Sequence, residues 1–431
     1  MMRSAAQCVS RRCVLLGSGT VVGAALLPSP PAAQPGAFRT IAARTGTASL
    51  RAGNAGPTPI RGFEGTVPGP TLRVKRGEEL RVRLVNELVT DMTVHWHGVR
   101  VPNAMDGVAG LTQAAVAPGD SFDYRFTPPD AGTYWYYAPS RFLEDRALYG
   151  LLIVDEAERV DGDRDVALIL DAWTLGADGR IDASGTTHFT ANGQPSLDIS
   201  VNANERLRLR LLNAARDRLL TVRIDRHAAT VVAVDGQPAQ PFPARDSRIA
   251  LPPGNRIDLF IDATLAPDST APIFIGLDDR EAPIARLVYG SAPPTHARAR
   301  TEVKPLPENP LPQRMNFAAA IKLDVGLDDA RHRPAPGSFG RPLFTTAARQ
   351  SVTIGFKNTT NQAHVVHLHG HSARLLDALD DGWKPYWLDT VLAPPQRTTR
   401  IAFVADNRGK WLIESQILRG DGGIRTWFEV I

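Results

Sequence analysis

Short alternating segments separated by glycine or proline turns constrain this chain most. Leu80-Arg81-Val82-Arg83-Leu84-Val85 and Leu207-Arg208-Leu209-Arg210-Leu211-Leu212 place an apolar side chain at every second position. That period puts the apolar set on one face of an extended strand and leaves no helical stripe. Turn signals stand between such runs: Arg76-Gly77, Ala117-Pro118-Gly119-Asp120, Asp130-Ala131-Gly132, Asp235-Gly236 and Pro252-Pro253-Gly254. With 36 glycines and 34 prolines in 431 residues, the pattern predicts an all-β chain of many short strands.

The pattern also repeats. An alternating strand runs into asparagine at Val85-Asn86, Leu212-Asn213 and Lys357-Asn358, and each is followed by a gap, a proline-containing turn and a further strand. This weak repetition predicts three consecutive Greek-key β-sandwich domains, at 36–156, 157–295 and 296–431. A proline-rich linker from Pro293 to Pro312 precedes the third. Strands are expected, among others, over Met92–Val99, Ser121–Phe126, Thr133–Tyr137 and Ile257–Ile261. In the third block Ser351–Phe356 is expected to pair with Val365–Leu368. Arginine far outnumbers lysine, 43 to 6, which supplies exposed guanidinium groups for ion pairs and partner contacts. Asp377 to Asp381 reads as an exposed acidic turn.

Residues 1–35 read as a twin-arginine-type export signal. Ser10-Arg11-Arg12-Cys13-Val14-Leu15 opens it, and the apolar stretch from Val14 to Leu27 is too short to span a bilayer comfortably. A periplasmic location is therefore expected. Arg3, Arg11 and Arg12 lie there without any acid, so the net charge of +4 falls to about +1 for the remainder. That near-neutral body gives no electrostatic reason to bind nucleic acid. No later stretch is apolar for 18 residues, so no membrane span is expected in the mature chain. Both cysteines, Cys8 and Cys13, fall in the signal, and residues 36–431 contain none.

Six of the ten histidines fall in two clusters, His95-Trp96-His97-Gly98 and His364-Val365-Val366-His367-Leu368-His369-Gly370-His371. In a strand, positions i and i+2 share a face about 7 Å apart, so His95 and His97 project together, as do His367 and His369. Imidazole is the commonest protein ligand for copper and zinc. Two such strands facing each other would make a metal site between domains, although one His-x-His alone also suits a plain polar sheet face. His188, His227, His296 and His332 stand in scattered contexts and read as surface or structural residues.

The motifs around these histidines resemble the multicopper oxidase (laccase-like) family, over nearly all of residues 36–431. They are Gly65-Thr66-Val67-Pro68-Gly69-Pro70-Thr71, His95-Trp96-His97-Gly98, Asp106-Gly107-Val108-Ala109-Gly110-Leu111-Thr112-Gln113, Gly132-Thr133-Tyr134-Trp135-Tyr136, Ala191-Asn192-Gly193-Gln194, His364 to His371 and Trp411-Leu412-Ile413. The resemblance implies three cupredoxin-like domains, a blue copper in the third, and a three-copper cluster between the first and third that reduces dioxygen. It implies that His95 and His367 match type 2 copper ligands, that His97 and His369 each match one type 3 ligand, and that His364 matches the first blue-site histidine. Asp106 matches the acid near the cluster, where it would hydrogen-bond metal-bound water. His371 matches no ligand.

The chain departs from the family pattern at two places. After Tyr134-Trp135-Tyr136 the family reads His-x-His, where this chain reads Tyr137-Ala138-Pro139. After Trp411-Leu412-Ile413 the family reads His-Cys-His, where this chain reads Glu414-Ser415-Gln416. The later blue-site histidine falls at about Gly420 and the axial position near Ile424. A blue site needs a thiolate, which Ser415 does not supply at neutral pH. A four-copper oxidase is therefore not expected. The expectation is a reduced site of His95, His97, His367 and His369, with His364 and Glu414 as weaker candidates and Asp106 in support. One copper ion is expected there, with zinc or no metal as alternatives, and at most residual oxidoreductase activity. The other reading is a metal-free periplasmic scaffold with a protein partner, similar to the copper-free members of the family that act in bacterial cell division. The sequence names no substrate.

Overall fold

Alternating segments become sheet throughout the computed structural model, which describes residues 36–53, 56–140, 142, 145–278, 280–333, 338–376, 386–420 and 422–431. Six sheets form three successive pairs. In the first pair, Thr58–Phe63, Arg39–Ala48, Leu80–Asn86 and Ser121–Phe126 make one sheet in that order. Leu72–Lys75, Tyr149–Asp155, Gly132–Tyr137 and His95–His97 make the other. The second pair has a six-stranded sheet centred on Arg206–Asn213 and Arg256–Asp262, and a five-stranded sheet centred on Thr270–Leu277. In the third pair, Ile321–Gly326, Gln350–Asn358, Arg397–Ala405 and Arg374–Leu376 oppose Thr345–Thr346, Arg425–Val430, Gly409–Ile417, His364–Leu368 and Thr390–Ala393. Each pair is a cupredoxin-like β-sandwich. Phe38–Ile431 forms one compact unit.

The threefold repetition has a chemical cause. In each sandwich the first strand pairs in parallel with the strand that ends on the repeated asparagine. Asn86, Asn213 and Asn358 are all buried, and each makes the same clamp. The Asn86 amide donates to Thr90 O and Val116 O, and its oxygen accepts from Leu88 N. Asn213 donates to Arg218 O and Leu251 O and accepts from Ala215 N. Asn358 donates to Gln362 O and Ala393 O and accepts from Thr360 N. One side chain thus closes the turn that carries the chain from one sheet to the other.

That crossing corrects one expected pairing. Gln350–Asn358 pairs with Ile321–Gly326 and Arg397–Ala405. His364–Leu368 lies in the opposing sheet, between Thr390–Ala393 and Gly409–Ile417. The strand expected over Met92–Val99 shortens to His95–His97, with Met92 only bridging Val116. A further difference concerns arginine. Arg206, Arg208 and Arg210 are 0%, 0% and 1% exposed, because other segments cover the polar face of their strand and supply carboxylates to it. The expected export signal at 1–35 and the acidic turn at Asp377–Asp381 lie outside the described residues. Among the described residues no helix is long and apolar enough to cross a membrane.

The core anchors the histidine strands. Trp96 is fully buried and packs on Tyr124, Phe126 and Tyr136 at 5.1–5.6 Å between ring centroids. Burying a side chain of that size removes roughly 200 Å² from water and contributes about 5 kcal/mol before ordering costs. With Trp96 turned into the core, strand alternation turns His95 and His97 out of it together.

Candidate metal centre

The strand His95–His97 pairs with Gly132–Tyr137, which sets His95 opposite Tyr137 and His97 opposite Trp135. In the third sandwich, His367 stands opposite Thr390 on one side and Glu414 on the other. These two strands bring all four expected imidazoles into one buried cluster. Ring centroids lie 3.6 Å apart for His97 and His367, 3.9 Å for His95 and His369, 4.7 Å for His367 and His369, and 5.3 Å for His95 and His367.

Hydrogen bonds fix which nitrogen of each ring faces inward. His95 Nδ1 is 2.8 Å from Asp106 O, and His367 Nδ1 is 3.0 Å from Asp389 O. A carbonyl only accepts, so both Nδ1 atoms carry hydrogen, and each ring in its neutral form presents an Nε2 lone pair. Those two Nε2 atoms face each other at 3.1 Å. Burial pushes the His367 pKa down to about 4, outweighing the raising effect of Asp389, so this ring is neutral at physiological pH. Two opposed lone pairs at that distance repel unless a shared proton or a metal ion lies between them.

His369 joins this pair. Its Nδ1 lies 3.0 Å from an Asp106 carboxylate oxygen, while its Nε2 is buried without a hydrogen-bond partner. Donor nitrogens of His95, His367 and His369 lie within 4.8 Å of one another. Burial alone would lower the His369 pKa, but Asp106 and Glu414 overcome it and hold the ring up at about 9. The Asp106 carboxylate thus orients an imidazole of the cluster. Glu414 Oε1 is 3.6 Å from His369 Nε2, and its side chain is 24% exposed. Burial would raise the Glu414 pKa, but His369 and Arg425 outweigh it and keep the carboxylate ionised. Once a metal displaces the Nε2 proton of His369, three imidazoles and one carboxylate make a donor set that fits a copper or zinc ion.

His97 is held differently. Its Nε2 is 2.8 Å from Thr390 Oγ1 and 3.2 Å from Asp389 Oδ1, and its Nδ1 is buried without a partner. Its ring stacks on His367 with an interplanar angle of 10°. Lone pairs lie in the ring plane, so two stacked rings aim theirs along parallel planes and do not converge on one ion. His97, His367 and Asp389 also offer donor atoms within 4.8 Å of one another. The Arg256 guanidinium grips both Asp389 oxygens, at 2.9 and 2.5 Å. That carboxylate is already charge-matched and braces the rings.

The departures from the family pattern are also visible. Tyr137 fills its position with a ring 5.5 Å from His95 and 4.4 Å from Trp135. Burial holds its phenol well above the usual pKa, so it is neutral and offers no phenolate. Ser415 Oγ is 3.3 Å from His364 Nδ1 and accepts from Ile424 N at 3.0 Å. His371 sits among Phe403, Trp411 and Phe428, with Nδ1 on His369 O. His227 bonds Asp225 O and Tyr289, and His296 bonds Asp163.

Sequence reasoning missed Asp389, Thr390, Arg256 and Asp235, which meet behind His97 and His367. An aspartate and a threonine entering an apolar strand carry no periodic mark. The one available signal was Pro252-Pro253-Gly254-Asn255-Arg256, a turn that ends on a charge at the start of a strand.

Three β-sandwiches with His-x-His strands facing each other across the first and third define a cupredoxin-type protein with a candidate metal site. Multicopper oxidase family models match residues 45–159, 155–282 and 309–423. The crystal structure of Lac15 from a marine microbial metagenome is 31% identical, covers 91% of this chain and 100% of its own, and superposes with a TM-score of 0.82. The multicopper oxidase MmcO of Mycobacterium tuberculosis is 27% identical over 92% of this chain and 88% of its own length. Copper resistance protein A of Escherichia coli is 30% identical over 44% of this chain and 41% of its own length. The chain belongs to the multicopper oxidase family, and membership implies copper as its metal.

Proposed function

We propose that this protein is an exported multicopper-oxidase relative with a reduced site for one copper ion, held by Nε2 of His95, His367 and His369 with Glu414 completing the set. The observation that carries the reading is the pair of Nε2 atoms opposed at 3.1 Å. Copper bound there supplies one-electron redox and Lewis-acid chemistry. Asp106 holds His95 through its backbone oxygen and His369 through its carboxylate. Glu414 stands between this cluster and solvent, paired with Arg425 at 3.5 Å. His97 braces His367 by stacking, outside the donor set. Residues 36–431 contain no cysteine, so no thiolate links an electron donor to the cluster, and any oxidase activity is slow. The twin-arginine-type signal at 1–35 supports a periplasmic protein with domains at 36–156, 157–295 and 296–431.

Copper loading followed by dialysis tests this reading. The expected result is about one copper per chain, a raised melting temperature, and no intense sulfur-to-copper absorption. His95→Ala with His367→Ala is expected to abolish both the bound copper and the thermal shift. A wild-type chain that retains no metal and melts unchanged would overturn the copper reading and leave the metal-free scaffold. Tighter retention of zinc than of copper would reassign the metal.

A further inference from the structure

The opposed nitrogens work as a donor pair only if each ring keeps its hydrogen on the far side, and one hydroxyl lies where it governs two of the rings. Thr390 Oγ1 is 2.7 Å from Asp389 Oδ1, 2.8 Å from His97 Nε2 and 3.1 Å from His367 Nδ1. A threonine hydroxyl has one hydrogen to donate and two lone pairs to accept with. Donating to Asp389, which only accepts when ionised, leaves both lone pairs for the two imidazoles. His97 must then carry its hydrogen on Nε2 and His367 on Nδ1.

The segment that presents this hydroxyl is gripped by the middle sandwich. Arg256 forks onto both Asp389 oxygens. Asp235 Oδ2 accepts from the backbone N–H groups of Asp389 and Thr390, each at 3.2 Å. Asn255 donates to Thr390 O at 3.0 Å and to Asp235 Oδ1 at 2.8 Å. Fit is close on the histidine side too. A Cβ on Gly98, whose φ is +82°, would stand 2.2 Å from an Arg256 nitrogen and 2.4 Å from Asp389 Oδ2. A Cβ on Gly254 would stand 3.1 Å from His97 Cε1.

We infer that Asp389 and Thr390 are positioning residues that set the tautomers of His97 and His367, and that Arg256, Asn255 and Asp235 extend control of metal affinity to the middle sandwich. The affinity part rests on the copper reading above, whereas the tautomer part stands without metal. Partners of metal-binding histidines typically alter affinity by about 10- to 100-fold. A plain structural ion pair in the same place would alter stability and leave the ring hydrogens where they are.

Nitrogen NMR of histidine-labelled, metal-free full chain tests the first part. Wild-type His97 is expected to show its hydrogen on Nε2 and His367 on Nδ1. Thr390→Val removes the nearer of the two acceptors at His97 Nε2 and leaves Asp389 Oδ1 at 3.2 Å, so it is expected to shift a measurable part of His97 into the other tautomer, and Thr390→Ser to restore the wild-type pattern. Copper competition with a chelator tests the second part. Thr390→Val and Asp389→Asn are expected to weaken affinity by about 10- to 100-fold, Arg256→Lys to weaken it less, and Thr390→Ser to stay near wild type. A folded Thr390→Val with wild-type tautomers overturns the inference. A wild type that binds no copper sinks the copper reading, and the NMR comparison still decides the role of Thr390. Should Asp389→Asn fail to fold, the isosteric Thr390→Val carries both measurements.

Discussion

Ser415 stands where a thiolate would be needed, and its distance to His364 shows how small the chemical change is. The hydroxyl lies 3.3 Å from His364 Nδ1, with Ile424 fully buried nearby. A neutral hydroxyl hydrogen-bonds an imidazole but is too weak a donor to hold copper beside it. Gly420 supplies no side chain either, and a Cβ there would meet Ile417 at 3.0 Å and Gln362 at 3.5 Å. Ser415→Cys with Gly420→His is expected to give a copper-loaded protein with a strong visible sulfur-to-copper band. Gly420→His alone and wild type are expected to lack it. A double variant that binds copper at this position and shows no band would mean that more than these two donors separates the chain from a blue site. Such departures were legible because sulfur chemistry depends on residue type alone. The roles of Asp389 and Thr390 were not, because the atoms that define them come from segments more than 130 residues apart.

At the scale of elements, three asparagines explain both what the sequence revealed and where it misled. Repetition of Asn86, Asn213 and Asn358 after alternating strands disclosed three equivalent sandwiches, since each clamp needs an amide that donates twice and accepts once. The same clamp carries the chain across to the opposing sheet. Gln350–Asn358 and His364–Leu368 are neighbours in sequence and members of different sheets for that reason. Periodicity reports the face of a strand and not its partner. Asn213→Ala removes three hydrogen bonds at a fully buried site. At about 1 kcal/mol for each, it is expected to cost about 3 kcal/mol. Urea unfolding measures it, and Asn213→Asp is expected to cost at least as much, because its second carboxylate oxygen faces the Arg218 and Leu251 carbonyl oxygens, cannot donate to them and buries an unpaired charge. A midpoint unchanged in Asn213→Ala would show that the turn holds by packing alone.

Across the whole molecule, the sandwiches are joined by buried charge as much as by apolar contact. Arg208 pairs with Glu156 and Asp258, each at 2.7 Å. Arg210 reaches Asp165 at 2.9 Å, Asp258 at 3.1 Å and Thr133 at 2.8 Å, and Thr133 itself donates to Asp258 at 2.7 Å. Arg73 extends the lattice through Asp155 and Asp165. The first and second sandwiches meet through these groups, the second and third through Arg256 and Asp389, and the first and third through the histidines. The alternation Arg206-Leu207-Arg208-Leu209-Arg210 could not disclose this, because what covers a polar face belongs to other segments. The excess of arginine over lysine is better explained here, since a rigid fork satisfies two carboxylates where an ammonium would leave one wanting. Asp258→Ala strips one partner from two guanidinium groups that water does not reach, and is expected to cost about 3–5 kcal/mol. Replacing the charges together, with Asp258→Leu, Arg208→Met and Glu156→Gln, leaves Arg210 with Asp165 and is expected to cost less than Asp258→Ala alone. Urea midpoints at low and high salt compare them, and the loss in Asp258→Ala is expected to resist screening because the charges are buried. Were the triple variant the less stable of the two, shape rather than charge compensation would be what holds this seam.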